Sequence, residues 1–297
     1  MQETFGNLTG RLIVIAACLA TAGIVYGLTA TAGAETRQSD TPPPATLRLI
    51  RNATQKLSYA GQHLLLDPML SPKGQIRSFA GIAPNPTVAL PCPLTEVLAD
   101  IDGVLVSHLH PDHFDDAAQS ALAKELPILC PAGDEASLSK AGFRQVTPIE
   151  KSLTWRGITI TRIPGQHGSG AILARMGAVS GFVLQAPGEP TVYWVGDSVW
   201  TEDVSQAIAA FTPDIIVTHS GGATIPPYEP IIMNAEETIR TVQASGRAVV
   251  IAIHLEALDH CPVSRQALRQ RADAQGIPAA RLLIPADGEK IQLHRVR

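Results

Sequence analysis

The sequence has few cysteines, few aromatic residues and no basic run, and these shortages exclude several classes of protein. The four cysteines, Cys18, Cys92, Cys130 and Cys261, form no CxxC pair, which excludes a disulfide scaffold and a zinc module of the cysteine type. Lysine and arginine total 23 against 27 aspartates and glutamates, and a net-acidic chain binds nucleic acid poorly. We therefore expect no nucleic-acid partner.

The chain does contain enough apolar material for a sizeable core. Hydrophobic residues make up 45% of the 297 residues and charged residues 17%, so global disorder is excluded. Aromatic residues are only 4%, whereas 24 glycines and 23 prolines predict many turns and long loops. The length is typical of one or two domains. The nine histidines are the residues that point to chemistry.

The N-terminus carries an uninterrupted run of apolar and small residues, 12–34. It follows Arg11 and ends in Ala32-Gly33-Ala34, which is typical of a signal-peptide cleavage site. The run also reaches the roughly 20 apolar residues that span a bilayer uncut. We expect residues 1–34 to be a signal peptide or a membrane anchor, residues 35–45 a linker, and residues 46–297 the functional domain.

Both interpretations of the N-terminus place the domain outside the cytoplasm, as a periplasmic or secreted protein or as one anchored to the membrane through residues 12–34. Removal of residues 1–34 leaves Cys92, Cys130 and Cys261. The sequence is compatible with two states of these cysteines: one disulfide with one free thiol, or three buried thiols. The sequence leaves the oligomeric state open as well.

Six short apolar, β-branched runs predict strands, and each leads toward a histidine or an aspartate. The residues that follow them are Asp67, His108, His167, Asp197, His219 and His254. Continuous apolar runs are typical of strands buried on both faces, and the helical patterns between them indicate a layered α/β body. Since loops at the carboxyl ends of strands meet in one crevice, we expect these residues to converge.

Cap residues and turn residues mark the other elements. Helical patterns cover residues 114–126, 234–246 and 264–275, the last two with Asn234 and Ser264 as N-caps. Asp287-Gly288 lies between two apolar runs and predicts a hairpin turn.

The strongest local signal is the sequence His108-Leu109-His110-Pro111-Asp112-His113, directly after a buried strand. His108 and His110 are two residues apart in extended chain and project to the same side. One metal ion with an open position needs only about three protein ligands. Three imidazoles and a carboxylate within six positions therefore indicate a pair of metal sites.

This motif, with LLLDP, RIPGQHG, VYWVGDS, MNAEET and IAIHLEAL after or around it, resembles the metallo-β-lactamase superfamily. Within it, the chain looks most like the branch of ascorbate-6-phosphate lactonase and the N-acyl-phosphatidylethanolamine phospholipase D-like hydrolases. The resemblance covers residues 46–296, with the motifs in the family's order. It implies an α/β fold: a four-layer αββα sandwich of two mixed β-sheets flanked by helices.

The same resemblance implies two adjacent divalent metal ions, most simply zinc, with manganese in some relatives. His108, His110 and His167 would hold the first ion. Asp112, His113 and His254 would hold the second, and the Asp197 carboxylate would bridge both. Nitrogen and oxygen ligands without thiolate suit zinc and tolerate manganese.

Several further side chains are candidates for supporting roles. Asp67 is expected to accept a hydrogen bond from a ligand imidazole. Asp112 is expected to orient the attacking hydroxide, and His219 to protonate the leaving group. His260 is a weaker candidate. The long loop 67–94 is expected to be a lid or disordered.

The function predicted from these residues is an exported dinuclear hydrolase in which a metal-bridging hydroxide attacks an ester, lactone or related bond of a small molecule. One alternative is a phosphodiesterase of the phospholipase D-like branch that acts on lipid-like substrates. A second alternative is a metal-binding protein on the same fold without catalysis.

Overall fold

The computed structural model describes residues 44–296, and in this range the chain forms fourteen strands. They are β1 (Thr46–Arg51), β2 (Thr54–Tyr59), β3 (Gln62–Leu66), β4 (Gly103–Leu105), β5 (Ile128–Pro131), β6 (Val146–Ile149), β7 (Ser152–Trp155), β8 (Ile158–Gly165), β9 (Val179–Gln185), β10 (Val192–Trp194), β11 (Ile215–His219), β12 (Val249–Ile253), β13 (Leu282–Leu283) and β14 (Lys290–Gln292).

These strands form two seven-stranded mixed sheets. The first has the order β14-β1-β2-β3-β4-β5-β6 and the second the order β13-β12-β11-β10-β9-β8-β7. Most strands that lead to the predicted site are parallel neighbours: β3 with β4 in the first sheet, and β10, β11 and β12 in the second. The exception is β8, which pairs antiparallel with β7 and β9. The carboxyl ends of the parallel strands therefore lie at one edge of each sheet.

Seven α-helices lie within the described residues, together with a short 3₁₀ helix at Gly170–Ile172. The α-helices are α1 (Leu94–Leu98), α2 (Asp116–Ala121), α3 (Glu135–Lys140), α4 (Leu173–Met176), α5 (Glu202–Phe211), α6 (Ala235–Ala244) and α7 (Arg265–Ala274). The cap of α6 is the predicted one: Asn234 accepts from the Glu237 amide, and the Glu237 side chain accepts from the Asn234 amide.

The alternation of side chains along each strand explains why both faces of the sheets are buried. In β12, Ile251 and Ile253 enter a core cluster shared by the two sheets, whereas Val250 and Ala252 enter a second cluster with residues of α5, α6 and α7. A third cluster packs α2 and α3 against the other face of the first sheet. The layers are therefore helix, sheet, sheet, helix, which confirms the predicted four-layer αββα sandwich.

Two sequence-based predictions of local structure need correction. The helical pattern at 114–126 forms only the six-residue helix α2, because Asp115 is the N-cap and Leu122 is already extended. The Asp287-Gly288 turn does not join a hairpin, since β13 pairs with β12 in one sheet and β14 pairs with β1 in the other. Turn residues report a change of direction but not the sheet to which the chain returns.

The three cysteines of the described range are free thiols. Cys130 and Cys261 are buried and Cys92 is partly buried, so no disulfide forms among them. The predicted signal peptide or anchor, residues 1–34, and most of the linker lie outside the described residues. Between residues 44 and 296, no helix has the length and apolar character that a membrane crossing requires.

Candidate metal centre

The predicted ligands follow strand ends in both sheets and meet between them. His108 lies just after β4, Asp197 and His254 follow β10 and β12, and His167 comes two residues after β8. Asp197 occupies the centre because its carboxylate faces ligands from both sheets. The backbone reaches this position through Gly196, whose φ is +71° and where a Cβ would lie 2.6 Å from the Ser180 carbonyl oxygen.

Buried Asp67 orients two of the ligand histidines. Its Oδ2 accepts a hydrogen bond from His113 Nδ1 at 2.5 Å and from Ser107 Oγ at 2.6 Å, and its Oδ1 accepts from the Ser107 amide. Ser107 Oγ in turn lies 2.9 Å from His108 Nδ1. Since both Nδ1 atoms are held as donors, each of these rings presents a lone pair on Nε2 to the centre when it is neutral.

The first group of ligand atoms is His108 Nε2, His110 and His167. One nitrogen from each of these residues lies within 4.8 Å of the other two. His108 Nε2 is 2.9 Å from His110 Nδ1. His167 Nδ1 donates to the Ile231 carbonyl oxygen at 2.8 Å, which leaves its Nε2 free as an acceptor. These are the three residues predicted to hold the first ion.

The second group consists of Asp112, His113 and His254. Asp112 Oδ2 lies 3.5 Å from His113 Nε2 and 3.4 Å from His254 Nε2. Asn52, which the sequence did not single out, holds this group together across the two sheets. The Asn52 side-chain amide donates to the backbone carbonyl oxygen of Asp112. The backbone carbonyl oxygen of Asn52 accepts from the His254 amide.

Asp197 stands between the two groups. Its Oδ2 is 3.1 Å from His113 Nε2, 3.4 Å from His167 Nε2 and 3.9 Å from His108 Nε2. Its Oδ1 is 3.7 Å from His254 Nε2. The carboxylate therefore lies where the resemblance predicts a bridging ligand.

Protonation in this cluster favours a cation. Burial lowers the pKa of His108 well below its ordinary value and also lowers that of His110, so both rings are neutral ligands. Burial raises the pKa of Asp197, but His113 and His254 together hold it well below its usual range. Burial acts to lower the pKa of His113, but Asp197 and Asp112 outweigh it and raise that pKa well above its ordinary value. A metal ion must therefore displace the His113 proton.

The donor set fits divalent metal ions. His254 Nε2 is buried and has no hydrogen-bond partner among the described residues, although it faces two carboxylates. Two ligand atoms of one tetrahedral zinc ion, each about 2.1 Å from the metal, lie about 3.4 Å apart. The donor separations of 3.1–3.9 Å around Asp197 match that spacing. The structure brings all seven predicted ligands together, and metal binding by them stays a prediction.

His219 has a different position from the one expected of a proton donor. It is fully buried, and its Nδ1 lies 2.5 Å from Asp197 Oδ1. The indole N–H of Trp194 donates to its Nε2 at 3.0 Å. Both ring nitrogens are therefore occupied, and the tautomer is fixed with the proton on Nδ1. This geometry makes His219 a support for Asp197 and leaves no free edge from which to protonate a leaving group.

We expect Trp194→Phe to weaken metal binding about tenfold, because groups behind metal ligands typically contribute 10- to 100-fold and Trp194 acts through His219. Without the indole donor, the His219 proton is free to move to Nε2, and its Nδ1 lone pair would then oppose Asp197. Competition with a chelator measures the zinc affinity. Trp155→Phe, in β7 and remote from the centre, is the matched control. Equal affinities in both variants would contradict the role of the indole.

A cavity of about 380 Å³ opens onto the cluster. His110, Asp112 and His167 form its floor, and apolar side chains, among them Phe79 and Met176, contribute to its walls. Exposed Arg77 and Arg175 line it as well. The volume lies within the range of small-molecule sites, about 300–1,000 Å³.

The loop expected to be a lid is irregular but held by hydrogen bonds. Buried Arg51 donates to the carbonyl oxygens of Met69, Ser71 and Val88, near the two ends of the loop. Ile76 and Asn85 pair across it in an isolated antiparallel bridge. The segment that carries Phe79 and Arg77 is thereby fixed beside the cavity.

Comparison with known proteins agrees with this fold and site. Residues 62–255 match the family model described as Beta-lactamase superfamily domain. UPF0173 protein YddR of Bacillus subtilis (strain 168) is 35% identical over 246 residues, or 81% of this chain and 96% of that protein. A possible metal-dependent hydrolase from Veillonella parvula DSM 2008 has a TM-score of 0.82 and 34% identity, over 84% of this chain and all of the other.

A further solved structure is the isothiocyanate hydrolase from Delia radicum gut bacteria, with a TM-score of 0.79 and 36% identity over 84% of this chain and 99% of the other. The chain belongs to the beta-lactamase superfamily, which confirms the resemblance at that level. With the His/Asp cluster, it is a metal-dependent hydrolase of the metallo-β-lactamase fold. The narrower lactonase or phospholipase D-like branch stays a prediction.

Proposed function

We propose that the chain is an exported hydrolase that uses two divalent metal ions, most simply zinc, to cleave an ester, lactone or related bond of a small molecule. One observation carries the proposal: two groups of ligand atoms, joined through Asp197, lie beside a cavity of small-molecule size, and His110, His167 and Asp112 of these groups line it. A metal-binding protein without catalysis would not need such a cavity at its ligands.

The residues divide into holding and orienting roles. His108, His110 and His167 would hold one ion, and Asp112, His113 and His254 the other, with Asp197 between them. Bound ions of this kind supply a water of lowered pKa and stabilise developing negative charge. Asp112 is both a ligand of the second group and a residue of the cavity floor, so its carboxylate is placed to accept a hydrogen bond from the attacking water.

The substrate class follows from the cavity and from one relative. The walls combine apolar side chains with the polar residues Arg77, Ser78, Arg175 and His260, and the volume admits a molecule of modest size. The isothiocyanate hydrolase relative acts, by its name, on a small molecule with an electrophilic carbon. Esters, lactones and isothiocyanates share such a carbon, and we include all three in the proposed class.

A phosphodiesterase acting on lipid-like substrates is the second candidate. Arg77 and Arg175 favour it, because both are exposed and line the cavity, and neither has a carboxylate within 4 Å in the part of the chain that the structure describes. Guanidinium groups bind phosphate oxygens well. The two arginines are compatible with a carboxylate substrate as well, so the choice needs an experiment.

The test is a substrate panel with full-chain protein that has been stripped of metal, reloaded with zinc or manganese, and analysed for metal per chain. The panel contains a p-nitrophenyl ester, a lactone, an aryl isothiocyanate, bis-p-nitrophenyl phosphate and a β-lactam. We expect hydrolysis of at least one of the first three, loss of turnover on stripping, and recovery on reloading with two ions per chain.

The other outcomes separate the alternatives. Turnover of the phosphodiester alone would replace the first proposal by the second candidate. Two bound ions without any turnover would favour the non-catalytic metal-binding protein. Full turnover in metal-free protein would refute the metal-dependent mechanism.

Export is proposed from residues 12–34 and is tested separately. In a host with a secretion pathway, we expect the protein in the extracytoplasmic or membrane fraction. A mature N-terminus at Glu35 would identify a cleaved signal peptide, and an intact chain in the membrane fraction would identify an anchor. An intact chain in the cytoplasm would contradict export.

A further inference from the structure

Four polar residues line the cavity outside the ligand set, namely Arg77, Ser78, Arg175 and His260, and His260 is the one of them that is buried. It lies six positions after His254 and is only 7% exposed. It lines the same cavity as His110, Asp112 and His167. A buried histidine in the wall of a hydrolase cavity, outside the ligand cluster, needs a physical explanation.

The neighbouring Asp259 holds the loop that covers this part of the cavity. Its carboxylate accepts hydrogen bonds from the amides of Phe79, Ala80 and Ile82 at 3.1–3.2 Å, from the Asn85 side chain at 2.8 Å, and from the Ser78 hydroxyl. The loop is thus tied to the residue directly before His260.

This tie places Phe79 against the His260 ring. The two ring centroids are 5.1 Å apart at an interplanar angle of 78°, an edge-to-face contact. The backbone is fixed too, because the His260 carbonyl oxygen accepts a hydrogen bond from the Thr224 amide at 2.8 Å. The ring orientation is therefore set by packing and by backbone contacts, as expected of a group that must meet a ligand in one geometry.

The hydrogen-bonding state of the ring follows from its surroundings. His260 Nδ1 is buried and has no hydrogen-bond partner among the described residues. A buried N–H without an acceptor is among the rarest defects in proteins, so a neutral ring carries its proton on Nε2. Burial also lowers the pKa of His260, which favours the neutral ring. Because the residue lines the cavity while Nδ1 is enclosed, the Nε2 edge is the polar edge that faces the cavity.

Other polar groups near the cavity are less suited to contact the reacting atoms. His219 is sealed between Trp194 and Asp197. Arg77 and Arg175 are exposed. We propose that His260 is a substrate-contacting residue whose Nε2–H donates a hydrogen bond to the heteroatom of the substrate on which negative charge develops. This inference rests on the proposed hydrolase function, and it adds a protein donor to the charge stabilisation that metal ions provide.

Three substitutions at one position test the donor. Phenylalanine keeps the ring shape without a polar atom, the amide nitrogen of glutamine reaches about as far as Nε2, and that of asparagine only about as far as Nδ1. With the panel substrate that the wild type hydrolyses, we expect His260→Phe to lower kcat about 100-fold, the usual effect of removing one such donor. KM should change little. His260→Gln should recover about tenfold of this loss and His260→Asn should not.

Metal per chain should equal that of the wild type in all three variants. His63→Gln is the matched control, since His63 lies in β3 and lines a different surface pocket. A kcat of His260→Phe within about threefold of the wild type, or equal recovery by asparagine and glutamine, would overturn the proposal.

A readout independent of turnover separates this inference from the proposed function. In protein with ¹⁵N-labelled histidine, two-bond ¹⁵N–¹H spectra report the tautomer of each ring, and His260→Gln assigns the His260 signals. We expect the Nε2–H form, and an Nδ1–H form would overturn the proposal. A wild type that holds two metal ions but hydrolyses no panel substrate would refute the hydrolase function, whereas a wild-type rate in His260→Phe would refute only the role of His260.

Discussion

Replacing Asp197 by asparagine is expected to reduce the bound metal from two ions per chain to at most one. The kcat should fall at least about 1,000-fold, because a metal ion contributes several kcal/mol to stabilisation of the transition state. The amide has nearly the shape of the carboxylate, and its oxygen can still accept from His219. Its NH₂ group, however, would face Nε2 of His113 or His167, which lie 3.1 and 3.4 Å from Asp197 Oδ2. The variant would thereby cap a lone pair that a metal ion needs.

This substitution separates metal binding from folding. Metal-free Asp197→Asn should unfold close to the metal-free wild type, whereas added zinc should stabilise only the wild type strongly. Asp203→Asn, at an exposed position in α5, is the matched control. Elemental analysis, thermal unfolding with and without zinc, and the hydrolysis rate measure the effects. Two bound ions and an undiminished rate in Asp197→Asn would show that this carboxylate does not join the two sites.

The fold could be predicted largely because its strands are apolar on both faces. Val249–Ile253 shows this directly, since alternate residues pack into the inter-sheet core and into the helix layer. Such runs are visible in a sequence without any knowledge of pairing. The sheet to which each strand belongs is not visible in the same way. The turn at Asp287-Gly288 has hairpin chemistry, but β13 and β14 lie in different sheets, because long-range pairing overrides the local signal.

The ligands could be predicted because they follow strand ends, and carboxyl ends of parallel strands meet at one edge. The residues that orient these ligands could not be predicted from the sequence. In the sequence, Trp194 is an ordinary core residue and Ser107 is the residue before a motif histidine. Asn52 is a turn residue. The roles of Trp194 and Asn52 depend on contacts with residues 25 and 60 positions away. The role of Ser107 depends on a contact with the adjacent His108, which forms only in the right side-chain rotamers. A local pattern does not encode such contacts.

Three of the four histidines outside the ligand set show this limit most clearly. His219 ends a strand at the crevice, and this position predicts a catalytic group, yet Trp194 and Asp197 occupy both of its nitrogens. His260 has no motif position of its own, yet it lines the cavity. The His63 ring hydrogen-bonds to the Ser58 hydroxyl on the first sheet. Residue type and sequence position do not distinguish the roles of these three histidines. The contacts of the two nitrogens of each ring do.

Replacing Asp67 by asparagine is expected to weaken zinc binding about 10- to 100-fold, the usual effect of removing a carboxylate behind a ligand histidine. The native carboxylate accepts three hydrogen bonds, from the Ser107 amide, the Ser107 hydroxyl and His113 Nδ1. An amide offers one oxygen and two N–H donors, so one of these donors would face another donor. The cluster relieves the conflict if His113 loses the proton on Nδ1 and keeps the one on Nε2.

That change in protonation is what links a buried hydrogen bond to metal affinity. With its only proton on Nε2, the ring would have to regain a proton on Nδ1, against the amide, when zinc displaces the one on Nε2. The metal-free protein should lose only about 1–3 kcal/mol of unfolding free energy, the cost of one unsatisfied buried group. Denaturation in chelator and zinc competition measure the two effects separately. Asp102→Asn is the matched control, because Asp102 accepts from the His63 amide at 2.8 Å, far from any ligand. If Asp67→Asn loses stability but binds zinc as the wild type does, Asp67 supports the fold and does not set the His113 tautomer.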